Sequence, residues 1–150
     1  MITYQLERFS AVVDEIKPLI WDQWEGIAIN KEKVIINPNY ELYGQLDDSG
    51  ILSIVTVRDD GALVGYCIWT VIFSFHYRDH RWAIADTIYI KPSHRKGFAA
   101  ARLLKLSESV LRQRGVSVAD IGSKVALDFG AVLKRRGWRH IENKHQKILI

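Results

Sequence analysis

The stretch IYIKPSHRKGFAAARLL, residues 88–104, combines residue types whose order suits the binding of a phosphorylated ligand. An apolar strand ends at Pro92, a basic turn holding one glycine follows, and a helix of small residues begins. Unpaired N–H groups of a first helical turn converge on one spot and carry partial positive charge. Gly97, Ala99, Ala100 and Ala101 would let a phosphate approach the backbone, and Arg95 and Lys96 would add full charges beside it. The turn is not a Walker loop, since the Gly-Lys-Ser/Thr ending is missing, and it is not a dinucleotide fingerprint, since two of three glycines are absent.

The elements needed to position this turn can be read along the chain. ITYQLERF reads as an opening strand, and Ser10 stands as an N-cap ahead of Val12, Val13, Ile16, Leu19 and Ile20. Pro18 predicts a break, with a second short helix carrying Trp21 and Trp24. The segment from Gly26 to Tyr43 gives no clear period. ILSIVTV, the turn Asp59-Asp60-Gly61 and ALVGYCIWTVIFSF predict a hairpin, and RWAIADTIYI adds a third antiparallel strand. After Pro92 the period becomes helical, with Ala100, Leu103, Leu104, Ser107 and Leu111 on one face, and Gly115 ends that helix. VSVADI is a short strand, and Ser123 is expected to cap a last helix that buries Ala126, Phe129, Gly130 and Leu133. Short strands around WRHIE and QKILI would finish the chain. The expected order is β-α-α-β-β-β-α-β-α-β-β, an α+β fold about a central, mostly antiparallel mixed sheet of about seven strands flanked by about four helices.

Composition narrows the class. At 150 residues, with 48% hydrophobic and 25% charged residues, the chain is expected to form one domain over 1–150. A single cysteine, Cys67, excludes an internal disulfide framework, and no signal peptide or membrane-spanning stretch is visible, so a cytoplasmic protein is expected. Charge is unevenly spread: residues 1–90 hold 7 Lys/Arg against 13 Asp/Glu, and residues 91–150 hold 14 against 4. The basic half implies an anionic partner, and nucleic acid, anionic lipid and a phosphorylated cofactor all meet that description.

Four anchors in order resemble the GNAT N-acetyltransferase superfamily. They are Asp60-Gly61 with Leu63-Val64-Gly65, the strand from Asp86 to Pro92, the basic turn, and the run from Leu133 to Gly137-Trp138. The resemblance spans nearly the whole chain and implies the family's fold, with the turn holding the pyrophosphate of acetyl-CoA. The family's turn reads Gln/Arg-x-x-Gly-x-Gly/Ala. A glycine-consistent register starts at His94 and meets Gly97 and Ala99, while an arginine-consistent register starts at Arg95 and meets Phe98 and Ala100. Where the family often has a catalytic tyrosine this chain has Leu133, and where it often has asparagine this chain has Ala126.

The resemblance implies transfer of an acetyl group from acetyl-CoA to a primary amine, directly in a ternary complex. It also implies a backbone N–H near a bulge on the fourth strand, around Ile88, Tyr89 and Ile90, facing the thioester carbonyl. Strand alternation puts Asp86 on one face with Ile84 and Ile88, where it would act as a base through water. An ordinary strand carboxylate with a cross-strand partner is the other reading of Asp86. Glu25 is the second candidate base, because the first helices border the acceptor in the family that the chain resembles. Tyr89, Tyr43 and Tyr77 are candidate acids without a spacing argument. The acidic front half favours a cationic acceptor, either a small molecule such as a polyamine or aminoglycoside or an amine of a protein. The HYRDH loop and compact size resemble phage or prophage members, which implies a host protein as acceptor. Pairing through sheets as a homodimer is common in the family. The competing function is a catalytically inactive module of the same fold that binds nucleic acid or a protein through its basic half. A glycine- and alanine-lined turn favours a small ligand, so nucleic acid is not the expected partner.

Overall fold

The computed structural model describes residues 1–150. The strands are β1 (Ile2–Glu7), β2 (Leu52–Asp59), β3 (Ala62–Phe73), β4 (Arg81–Ile90) and β5 (Val116–Asp120), ordered in the sheet as in the chain. The first four are antiparallel, and β5 lies parallel to β4 after a crossover through a 3-10 turn (Pro92–His94) and helix α3 (Ala99–Gln113). The fold is the expected α+β arrangement around a mixed sheet.

The Asp60-Gly61 turn works as its residues require. Asp60 and Gly61 have φ of 46° and 87°, the pair of positive angles that joins twisted strands in two residues. β2 and β3 alternate between two buried faces. Val55, Val57, Cys67 and Trp69 pack with Leu103, Val110 and Leu111 of α3, whereas Ile54, Tyr66 and Ile68 pack with Phe9, Val12, Ile16 and Leu19 of helix α1 (Phe9–Ile27). Charge is divided by the same sheet. Residues 9–48, which supply the α1 side, carry eight acidic and three basic side chains, and residues 91–115, which supply the α3 side, carry one acidic and seven basic.

Four expectations are corrected. α1 begins at Phe9, so Arg8 and not Ser10 stands at its N-cap position, with no side-chain cap bond. α1 runs unbroken through Pro18. Its buried stripe continues on both sides of the proline, and both Pro18 and Asp14, whose carbonyl loses its partner, lie on the exposed face, open to solvent. Trp21 and Trp24 therefore belong to α1, and the second helix, α2 (Tyr40–Asp48), falls partly within the stretch whose period was unreadable. It starts where Asn39 accepts a hydrogen bond from the Leu42 N–H at 2.9 Å. Arg8 then joins Asp47 and Asp48, and Phe9 stacks on Tyr43, so α2 is pinned to the start of α1.

The last helix, α4 (Gly130–Arg135), starts later than expected, because Ser123 and Asp128 close a turn of their own. The Ser123 hydroxyl donates to Asp128 at 2.7 Å and accepts from Phe129 N–H at 2.8 Å, and Asp128 accepts from Gly130 N–H at 2.8 Å. The sheet has five strands, since residues 138–150 pair with nothing. Polar and charged residues interrupt the apolar ones there, leaving Ile141, Leu149 and Ile150 exposed, so no buried face fixes a strand register. No helix is long and apolar enough to cross a membrane.

Candidate active site

β4 and β5 pair only from Arg81 to Ile84. Beyond Ile84, Ala85–Ile90 face no strand on that side, an open edge about 20 Å long at the usual strand rise. Lys91 N–H donates to Val64 O at 2.8 Å. The two-residue repeat of an antiparallel ladder then turns Tyr89 toward β3 and the N–H groups of Ile88 and Ile90 toward the open edge. Two carbonyls of that edge accept from side chains, Ile88 O from Gln23 Nε2 at 3.0 Å and Ile90 O from Arg95 Nε at 2.8 Å.

A β-bulge sits in the middle of the same strand. Ile68 is opposite Thr87 and Trp69 opposite Ala85, so Asp86 is the extra residue. Ala83, Ala85, Ile88 and Ile90 all pack on the α3 side, and the step of three between Ala85 and Ile88 records the inserted position. The expected common face of Asp86 and Ile88 is thereby corrected: the bulge reverses the alternation and sends Ile88 to the opposite side. Asp86 itself meets α2, where Tyr43 donates its hydroxyl hydrogen to Oδ2 at 2.5 Å. Burial, with Asp86 adding to it, holds the Tyr43 phenol well above the ordinary tyrosine range, so it stays protonated. A cleft of about 170 Å³ opens beside the pair, with Leu42, Leu46 and Leu52 as apolar wall and Thr70 and Asn39 as polar wall.

The basic turn closes the far end of the open edge. His94 is tied back to Asp59 at 3.1 Å and to Ser93 at 2.8 Å, which fixes the turn against the β2–β3 hairpin. Gly97 has φ of 86°, a conformation that suits glycine. The backbone N–H groups from Lys96 to Ala101 donate to nothing within the protein, and α3 has no side-chain cap and no acidic residue in its first turn. Arg95 lies 5.6 Å over the Tyr89 ring while its Nε holds Ile90 O, and Lys96, Gly97 and Phe98 are exposed. Arg95 and the strand edge therefore meet, with Lys96, Gly97, Phe98, Ala99 and Ala100 forming the adjoining surface.

The structure does not bring Glu25 to this place. Glu25 is two residues from Gln23, which faces the sheet, and so it points to the other side of α1. Its carboxylate is exposed and paired with Lys31 at 3.2 Å. Tyr77 stacks on Trp82 at the opposite end of β4, and Tyr89 is buried beside Tyr66. Of the three tyrosines weighed as acids, only Tyr43 is bonded to Asp86. Gln23 was not singled out from sequence, although a signal existed: it continues the stripe Val12, Ile16 and Leu19 as the one amide on an apolar face.

An unpaired N-terminal helical turn placed at the end of a strand that parts from its neighbour is an arrangement that can receive an anionic group. Residues 13–129 match the acetyltransferase (GNAT) family, and the chain belongs to that family. No curated protein sequence matches it. Among solved structures, a GCN5-related N-acetyltransferase from Ralstonia eutropha JMP134 superposes with a TM-score of 0.78 at 14% identity, covering 99% of each chain. A ribosomal-protein-alanine N-acetyltransferase from Brucella melitensis biovar Abortus 2308 has a TM-score of 0.73 at 17% identity, covering 100% of this chain and 99% of that one. A predicted acetyltransferase from Clostridium acetobutylicum, with acetyl-CoA, has a TM-score of 0.71 at 14% identity, covering 99% and 97%. At these identities the likeness is one of fold.

Proposed function

We propose that this GNAT acetyltransferase domain, residues 1–150, moves an acetyl group from acetyl-CoA to a primary amine by direct transfer in a ternary complex. The observation that carries the reading is the open edge of β4 running into the unpartnered amides of residues 96–101. Those amides, Arg95 and Lys96 would hold the pyrophosphate of acetyl-CoA, and the Ile88 and Ile90 N–H groups would face the carbonyl oxygens of its arm and thioester. The Gly97 turn and the separation of β4 from β5 fit such a ligand. Asp86 would take the proton of the incoming ammonium through water, with Tyr43 fixing its carboxylate. A neutral amine then attacks the thioester carbon, the C–S bond breaks, and the second N–H proton passes through water to the departing thiolate, which has little need of a protein acid because thiols are acidic. Loss of the family's tyrosine at Leu133 is consistent with that chemistry. The cationic acceptor suits the acidic α1 and α2 side, and a cytoplasmic setting suits both the co-substrate and a single buried thiol.

Calorimetry with acetyl-CoA on the wild type and on Lys96→Ala/Arg95→Ala tests the reading. Binding in the wild type that weakens about tenfold or more in the double variant supports it, since two charge-assisted phosphate contacts are lost. Equal binding in both removes the assigned phosphate site.

A further inference from the structure

The α1 side of the sheet extends past the helices that cover it. Thr70 lines the cleft beside Asp86, and because Thr70 is opposite Ile84 and Ile72 is opposite Trp82, all four share that face. Ile72 and Ile84 are 39% and 42% exposed there. A second cavity, of about 330 Å³, opens on this apolar strip, and Ser74, Phe75 and His76 of the turn between β3 and β4 line its far end. Trp82 is locked in place as one of its walls. The indole N–H donates to Asp120 Oδ2 at 2.7 Å, and Tyr77 stacks on the ring with centroids 5.3 Å apart. A partly exposed ring held by a carboxylate and a second ring is a prepared contact surface, since it loses little freedom when a ligand meets it.

We infer that the acceptor is a small primary amine joined through a short carbon chain to a flat aromatic ring, which lies on Ile72, Ile84 and Trp82. This inference rests on the proposed acetyl transfer and names its second substrate by class. At the usual strand rise, Ile84 lies about 7 Å and Trp82 about 13 Å from Asp86. An amine that reaches Asp86 through one water therefore places a ring a few bonds away over the strip. Charge agrees with this direction: the ammonium meets Asp86, and Asp120, opposite Ile84 on β5, adds a second negative charge beside the strip. A polyamine would instead lay a further ammonium on Ile72 and Ile84 without a partner, which desolvation penalises. The volume stands at the lower end of the small-molecule range, about 300–1,000 Å³, and so favours a single ring over a peptide or a second copy of the chain, both of which need a broader surface.

The test compares phenethylamine and tryptamine with ethylamine, spermidine and a peptide bearing phenylalanine at its N-terminus, by steady-state rates and calorimetry. It uses the wild type and Ile72→Thr/Ile84→Thr, a pair that keeps the β-branched shape each strand position favours. In the wild type, kcat/KM for the two ring-bearing amines should exceed that for ethylamine and for spermidine about tenfold or more. In the double variant that advantage should fall about tenfold, chiefly through KM, with the Kd for acetyl-CoA moved less than about threefold. A preference for spermidine or for the peptide, equal rates for ethylamine and the ring-bearing amines, or an advantage that the double variant retains overturns the inference and leaves acetyl transfer standing. A wild-type dimer that the double variant dissociates gives the strip to a second copy and overturns it too. Acetyl-CoA bound by a wild type that neither binds nor acetylates phenethylamine or tryptamine overturns the inference alone. A wild type that binds no acetyl-CoA overturns the reaction and the inference together.

Discussion

Tyr43 of α2 donates its hydroxyl hydrogen to Asp86 of β4, the one residue that the bulge inserts into the strand. The bond ties the position of a proposed base to a helix that packs on α1, so three elements meet at one carboxylate. Replacing Asp86 with Asn should lower kcat about a hundredfold or more, and Tyr43→Phe about tenfold, with acetyl-CoA affinity retained in both. Because the Tyr43 phenol is held above its ordinary range, it loses no proton near neutrality, and Tyr43→Phe should leave the shape of the alkaline pH limb unchanged. Steady-state rates across pH, with calorimetry for the co-substrate, check both statements.

Arg58 is only 12% exposed and joins Glu7 of β1, Glu15 of α1 and the Gly61 carbonyl. Removing it leaves carboxylates without their partner, and Arg58→Ala should cost about 3 kcal/mol of stability in denaturant unfolding.

The same network predicts a pH dependence. Burial would raise the Glu7 carboxyl, but hydrogen bonds from Arg58 and Thr56 outweigh it and leave it below the usual glutamate range, and Glu15 is lowered by Arg58. A lowered folded value means the stabilisation is complete above the unfolded value and is lost as pH falls through the folded one. The stability difference between wild type and Glu7→Gln should therefore be constant above about pH 5 and shrink below it. A difference that grows on acidification would contradict the assignment.

Gly65 lies against the open end of β4. A Cβ there would come within 2.8 Å of Tyr89 O and 3.2 Å of Ile90 Cα, both backbone atoms that move only if the strand moves. Gly65→Ala should cost about 1–3 kcal/mol and weaken acetyl-CoA binding as well, because the displaced strand carries the Ile88 and Ile90 donors. Thermal melts and calorimetry on one variant test the pair of effects.

Trp138 stacks on Trp69 with ring centroids 6.2 Å apart, and Glu108 of α3 holds it there through Trp138 Nε1 at 3.0 Å and Arg136 at 2.6 Å. Burial would raise the Glu108 carboxyl, but the bonds from Arg136 and Trp138 bring it below the usual range. Glu108→Ala should weaken the near-ultraviolet circular dichroism of the indole pair. In the wild type the signal should persist through mild acid and fade only below the ordinary glutamate range.

How much of this was legible in the sequence depends on which interactions are local. The hairpin at Asp60-Gly61, the fourth strand, the basic turn and α3 each rest on a short-range signal, either a positive-φ pair, a period of two or a period of 3.6, and each lies where its pattern places it. Pro18 misled because its cost depends on whether water can reach the freed Asp14 carbonyl, which only packing decides. α2 was missed although Asn39 is a sound cap, since an unpatterned stretch precedes it and its stabilising contacts come from Arg8, nearly forty residues earlier. The bulge at Asp86 is a mismatch between two strands and has no representation in either alone. For the same reason strand alternation puts Asp86 forward as a candidate, whereas its bond from Tyr43 and the bond of Gln23 to Ile88 O show only in the fold.

The division of charge across the sheet has a consequence for encounter. A molecule acidic on its α1 flank and basic on its α3 flank carries an electric dipole roughly perpendicular to the strands, and long-range fields sort arriving ions before any contact forms. Polyanions are steered to one flank and polycations to the other, so neither must wait for the other to clear the way, and added salt should slow both arrivals together.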